Sequence, residues 1–136
     1  MSKVAKVMIV DDSFLMRSIL RSILEKDPVF SVVAEAANGE DAIAALEKIA
    51  DPDIILLDIE MPIMNGIQFM KKSRLKTSAK IIIVSSVAKF SSPEAKEALS
   101  LGAVDIITKP SGVLSVDMEE TKSKEVLDCL HRCLAA

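Results

Sequence analysis

The sequence predicts an α/β domain: a five-stranded parallel sheet with helices on both faces. Two observations predict it. Apolar, β-branched runs recur with starts roughly 25 residues apart, enough for a strand and a crossover helix. The gaps between them carry helical periodicity and helix punctuation, so the order is βαβαβαβαβα, the pattern of right-handed crossovers in a parallel sheet.

The first run is "AKVMIVD" (5–11), followed by "SFLMRSILRSILEKD". There Leu15, Ile19 and Ile23 fall on one stripe, with Met16, Leu20 and Leu24 beside it. The second run, "VFSVVAEA" (29–36), alternates more than the others, which predicts a place nearer a sheet edge. The helix "NGEDAIAALEKIA" has Asn38 as N-cap and Asp41 in its first turn. The third run, "DIILLDI" (53–59), precedes "NGIQFMKKSRL", a helix that starts after Asn65. The fourth, "KIIIVSS" (80–86), leads to "SSPEAKEALSLG", where Ser92 caps, Pro93 takes the first helical position and Gly102 the exit. The fifth, "VDIITK" (104–109), is followed by a loop from Pro110 to Val116 and a last helix. In that helix Asp117 and Glu120 resemble a capping box, and Val126, Leu127, Leu130 and Leu134 form the apolar stripe. Runs one, three and four are nearly continuous in Val, Ile and Leu, as strands covered on both faces are.

Bulk properties narrow the function classes. The chain has 136 residues, half of them hydrophobic, and reads as one domain, 1–136, with an aliphatic core: it contains four Phe and no Trp or Tyr. A net charge of −3 argues against a nucleic-acid module. No stretch approaches the ~20 apolar residues of a membrane span. The first residues show no signal-peptide pattern, and two cysteines make no disulfide framework, so a cytoplasmic location is expected.

In such a sheet, ligands bind beyond the carboxyl ends of the strands. Strand 1 ends in Asp11 and Asp12, strand 3 in Asp58 with Glu60 two residues on, strand 4 in Ser85 and Ser86, and strand 5 in Lys109. Strand 2 ends in "EAAN" and offers nothing comparable. Each residue alone has an ordinary explanation: Asp12 or Ser13 caps a helix, a lone Lys is solvated, a lone Ser belongs to a loop. Together, at the correct ends of central strands, they describe one pocket of carboxylates, a hydroxyl and an ammonium. Clustered carboxylates raise one another's pKa, and a hard divalent cation relieves that cost.

The paired acids after strand 1, the phrase "LLDIEMPIMNGIQFM", the hydroxyl after "IIIVS" and the "KP" after strand 5 resemble response-regulator receiver domains across essentially the whole chain. The resemblance implies a flavodoxin-like sheet of order 2-1-3-4-5. It implies Asp58 as the acceptor of a phosphoryl group from a histidine kinase, and Mg²⁺ (Mn²⁺ as a substitute) held by Asp11, Asp12, Asp58 and the Glu60 backbone carbonyl. It gives Ser85 and Lys109 to the phosphoryl oxygens, and makes the face of helix 4, strand 5 and helix 5 the one that switches. A narrower likeness, carried by the doubled Ser and the "GAVD…KPSG" run, is to the receiver half of chemotaxis methylesterases, implying a chemotaxis-type kinase. The chain itself contains no G-x-S-x-G elbow, so no enzyme beyond self-phosphorylation and dephosphorylation is expected of it. Whether a C-terminal esterase domain or another output adjoins it stays open, as does a free-standing regulator. One position departs from the family: Ile106 stands where many members carry Tyr or Phe.

Two other classes compete. A haloacid-dehalogenase-like phosphatase also phosphorylates an Asp, but expects D-x-D where this chain has "DDS"; a flavin or nucleotide binder expects a Gly-rich loop where it has "DDSFLMR". A receiver that serves only as a non-phosphorylated binding module is a further alternative, against which the full acid set argues. Cys129 and Cys133 share a helix face and read as packing, with His131 off that face. "KKSRLK" (71–76) reads as a solvated helix end, and Met61, Met64 and Met70 as packing. Phe14 and Leu15 are open between core burial and partner docking.

Overall fold

The structure, a computed structural model, describes residues 4–49, 51–86, 89–110 and 116–135, with backbone alone for 116–119. Five strands, β1 (Ala5–Val10), β2 (Phe30–Ala36), β3 (Ile54–Leu57), β4 (Lys80–Ser85) and β5 (Asp105–Thr108), form one parallel sheet of order β2-β1-β3-β4-β5. Five helices alternate with them: α1 (Phe14–Leu24), α2 (Gly39–Lys48), α3 (Gly66–Ser73), α4 (Pro93–Ser100) and α5 (Val116–Ala135).

The period of two along each strand splits the core into two layers. Val7, Ile9, Ile54, Leu56, Ile82 and Val84 face one way, where they meet Leu20, Ile23 and Leu24 of α1 and Val126, Cys129, Leu130 and Cys133 of α5. Met8, Val10, Ile55, Leu57 and Ile83 face the other way, toward α2, α3 and α4, where Phe69 is fully buried. Strands β1, β3 and β4 are covered on both faces, as their unbroken apolar runs predict, and β2 lies at an edge.

The caps follow the sequence closely. Ser13, Asn38, Asn65 and Ser92 each accept a backbone N–H of the first turn of α1 to α4. Asn65 and Gln68 complete a reciprocal capping box. Gly102 leaves α4 at φ 113°, a conformation other residues resist. The capping box expected at Asp117 lies outside the described side chains.

One residue in each of two stripes needs correction. Leu15 is 69% exposed, while Ile23 of its stripe is buried together with Leu20 and Leu24 of the adjacent one. On α5, Leu134 is 38% exposed while Cys129 and Cys133 take the buried face. Both leucines satisfy the helical spacing. In each case the rest of the stripe, Ile19 and Ile23 on α1 and Val126, Leu127 and Leu130 on α5, packs on the core, and the leucine near the helix end is the exposed member.

Candidate functional site

All strands of a parallel sheet point the same way, so their last residues open at one end. There Asp11 and Asp12 follow β1, Asp58 follows β3, Ser85 ends β4 and Lys109 follows β5. Asp12, Asp58, Glu60, Ser85 and Lys109 line one cavity of about 250 Å³. Carboxylate oxygens of Asp11, Asp12 and Asp58 lie within 4.8 Å of one another. The Lys109 ammonium stands 3.2 Å from Asp58 Oδ2 and 3.3 Å from Asp11 Oδ2. The residues singled out in the sequence therefore meet.

Electrostatic tension marks the cluster. Asp11 and Asp58 are 1% and 6% exposed. Burial, then repulsion from Asp11, pushes the Asp58 carboxyl up from 3.8 to about 6, against the pull of Lys109. Lys109 is raised: burial works to lower it, but attraction to Asp58 and Asp11 wins. Asp11 Oδ1 accepts the Ser13 N–H at 2.8 Å, whereas buried Asp11 Oδ2 accepts no aligned hydrogen bond. Its contact with Lys109 has the distance of an ion pair without the alignment. An all-oxygen donor set with one such atom left over fits a hard divalent cation of the Mg²⁺ type.

Packing fixes these groups in place. Gly66 donates its N–H to the Ile59 carbonyl at 2.8 Å, and a Cβ there would stand 2.4 Å from the Asp58 carbonyl oxygen. Only glycine lets α3 start this close to the loop after β3. Between them, Met64 N–H donates to the Pro62 carbonyl at 2.7 Å across Ile63, whose φ is 68°. That is a γ-turn with a β-branched centre, a conformation such residues avoid. Behind the acids, Arg17 donates to the Asp11 carbonyl at 2.7 Å and, with Arg21, grips Glu35 at the end of β2.

Ser85 is 3% exposed, and its hydroxyl donates to the Ser86 carbonyl at 3.3 Å. The Lys109 N–H donates to the Ser85 carbonyl at 2.7 Å, which ties the end of β4 to the residue after β5. Glu60 lines the cavity while its side chain pairs with Lys89 at 3.2 Å. Sequence reasoning missed Lys89, Arg17 and Gly66. A lone Lys in a loop and an Arg one turn into a helix carry no local signal, and Gly66 drew notice only as part of a motif.

The other tempting residues have partners or packing of their own. His131 Nε2 pairs with Asp27 at 2.7 Å and its ring meets Phe30 edge-on. Cys129 donates to Asp105 at 3.3 Å, and burial pushes its thiol up to about 12. Lys71 and Lys76 pair with Glu97 and Glu47. Met70 is buried, and Met61 and Met64 pack on the same core. Phe14 is 74% exposed beside the acids.

Comparison with known proteins agrees with this geometry. The family described as response regulator receiver domain matches residues 7–116. The chain is 48% identical over 117 residues to a protein-glutamate methylesterase/protein-glutamine glutaminase of Halalkalibacterium halodurans, covering 86% of this chain and 34% of that protein. Its identity to the protein of that name in Treponema pallidum is 43%, over 90% of this chain and 30% of that one. The chain thus spans about a third of the length of the curated relatives it matches. Among solved structures, the response regulator domain of Thermotoga maritima CheB superposes with a TM-score of 0.82 at 37% identity, covering 98% of both chains. A chain in the complex of the CheA3 P1 domain with CheY6 from R. sphaeroides gives 0.82 at 42%, covering 98% of this chain and 99% of that one.

Proposed function

This chain belongs to the response-regulator receiver domain family, and from that membership we propose that Asp58 accepts a phosphoryl group from a histidine kinase of the chemotaxis type. The observation that carries the proposal is the convergence of Asp11, Asp12 and Lys109 on Asp58 at one end of the sheet. Transfer to a carboxylate oxygen needs an in-line approach and neutralisation of the equatorial oxygens. The raised pKa of Asp58 reports a carboxylate held among like charges and out of water. Lys109 orients Asp58 Oδ2 and offers its ammonium to a phosphoryl oxygen, and the Ser85 hydroxyl, which lines the same cavity, turns from Ser86 toward another. Asp11, Asp12 and Asp58, with the Glu60 backbone carbonyl, would hold Mg²⁺ or Mn²⁺. When bound, that ion supplies charge neutralisation at the transferring group. The kinase supplies the phosphoryl group, and water later cleaves the acyl phosphate.

The switch is one of charge: phosphorylation replaces one negative charge with about two and adds acceptor oxygens. Drawing Ser85 and Lys109 inward pulls on the segments that carry β4 into α4 and β5 into α5. Ile106 is partly buried against the α2–α4 side of the core, so no aromatic ring is there to flip. Next to it Lys122 of α5 donates to Thr108 of β5, a polar link on the same face. The matched relatives are methylesterases of about three times this length, which supports an adjoining cytoplasmic methylesterase as the output. Acetyl phosphate with Mg²⁺ tests the core of the proposal: the wild-type chain becomes labelled and Asp58→Asn does not. Equal labelling of both would overturn it.

A further inference from the structure

We propose that Arg17 is a positioning residue for the metal site: it pins the Asp11 carbonyl, and Glu35 steers its guanidinium, so that both acids after β1 are aimed at the cation. The inference rests on the reading that Asp11, Asp12 and Asp58 hold that cation. Asp11 is held at three points. Its N–H donates to the Ala36 carbonyl at 3.0 Å, its Oδ1 accepts the Ser13 N–H at 2.8 Å, and its carbonyl accepts from Arg17 Nη1 at 2.7 Å. Its Oδ2 is left to face Lys109 and the other acids. The Arg17 bond falls on the peptide that joins Asp11 to Asp12. Asp12 is exposed, so the backbone that carries it sets its direction.

Arg17 is itself held. Its Nε donates to Glu35 Oε1 at 3.0 Å, while Arg21 Nε donates to Oε2 of the same carboxylate at 2.7 Å. The Phe14 ring lies 5.7 Å from Arg17 Cζ and shields the guanidinium from solvent, leaving the Arg17 side chain 15% exposed. A guanidinium is a rigid fork. With one arm on Glu35 the other reaches the Asp11 carbonyl, and a lysine ammonium does not reproduce both contacts in that geometry. Through this chain of bonds β2 contributes to the site from behind, although its own end carries none of the acids. Charge alone acts in the opposite sense. A cation near the acids repels Mg²⁺, so on charge alone its removal tightens binding. Loss of positioning weakens it.

Titration of the whole chain with Mg²⁺ reads the sign. Arg17→Gln should weaken Mg²⁺ binding about tenfold, the lower end of what losing a bond behind a metal ligand costs. Arg17→Lys keeps the charge but not the fork and should show part of that loss, which tests the inference even if Arg17→Gln does not fold. Glu35→Gln should weaken binding several-fold in the wild-type chain but by less than about twofold once Arg17→Gln is present, because Glu35 acts through Arg17. Labelling by acetyl phosphate should divide the same way in Arg17→Gln: the half-saturating Mg²⁺ concentration rises about tenfold, while the rate at saturating Mg²⁺ stays within about threefold of wild type. Unchanged or tighter Mg²⁺ binding in Arg17→Gln, wild-type affinity in Arg17→Lys, or a Glu35→Gln loss that persists in the double variant would overturn the inference while the metal site still stood. A wild-type chain that binds no Mg²⁺ in titration or equilibrium dialysis would overturn the metal reading and this inference with it.

Discussion

The two ends of the sheet carry acids in opposite states. At the end where the strands begin, Asp51 accepts from the Thr77 hydroxyl, from the Ser78 hydroxyl at 2.9 Å and from the Ser78 N–H at 3.2 Å. Burial works to raise Asp51, but these bonds outweigh it and its carboxyl is lowered. Nearby, Asp53 accepts the Lys6 N–H at 2.7 Å, stitching the loop before β3 to β1. At the end where the strands finish, Asp58 is raised, Asp11 Oδ2 lacks an aligned donor and Ile63 sits in a strained turn. The same residue type stabilises one end and burdens the other. Donors decide the difference: hydroxyls and amides surround Asp51, while other carboxylates surround Asp58. The burdened end is the one that the proposed cation and phosphoryl transfer would relieve.

The predictions bear on that contrast, from the largest effect to the smallest. Asp58→Asn should cut Mg²⁺-dependent labelling at least about a hundredfold while leaving the metal-free fold no less stable, because a buried like charge is gone. Denaturant melts of the metal-free variant check the second half, and a clear loss of stability would place Asp58 with the stabilising acids.

The pH dependence should follow the burdened end. A carboxyl raised from 3.8 to about 6 contributes stability that is fully present below the lower value and declines as pH rises through the higher. Two pKa units amount to about 3 kcal/mol at most. Metal-free protein should therefore lose stability between those values. Added Mg²⁺ should restore more of it at pH 7 than at pH 5. A flat Mg²⁺ effect across that window would break the contrast.

Gly66→Ala should cost about 2 kcal/mol, since the added methyl meets the Asp58 backbone, and should weaken Mg²⁺ binding as well. Asp51→Ala should cost about 1 kcal/mol, reduced by the exposure of its hydrogen bonds, and should leave Mg²⁺ affinity unchanged. Isothermal titration with Mg²⁺ separates the two variants. Smallest of all, Ile63→Asn should raise stability by about 0.5–1 kcal/mol, because Asn tolerates a φ of 68° and Ile63 is 75% exposed. A loss would mean that the apolar side chain matters more than the turn.

Much of this architecture was legible in the chain because it rests on local rules. Continuous Val/Ile/Leu runs mark strands covered on both faces, and Ser13, Asn38, Asn65 and Ser92 cap helices through bonds reaching three residues. The acids and Lys109 could be placed at strand ends because a parallel sheet sends every strand the same way. Leu15 and Leu134 could not be assigned so simply, since helical spacing names a stripe but not the neighbour that covers it. Local sequence also held no sign that Lys89 faces Glu60, or that Arg17 braces the Asp11 backbone.

The sequence by itself determined the order of elements, their caps, and the residue types delivered to the rim. Tertiary structure alone decided that Asp11 and Asp58 are buried near one another with too few donors, which sets the raised pKa and the appetite for a cation. Spacing along a chain controls hydrogen bonds within a few residues. Electrostatic energy depends on distance through space and on exclusion of water, and both exist only once β1, β3 and β5 lie side by side.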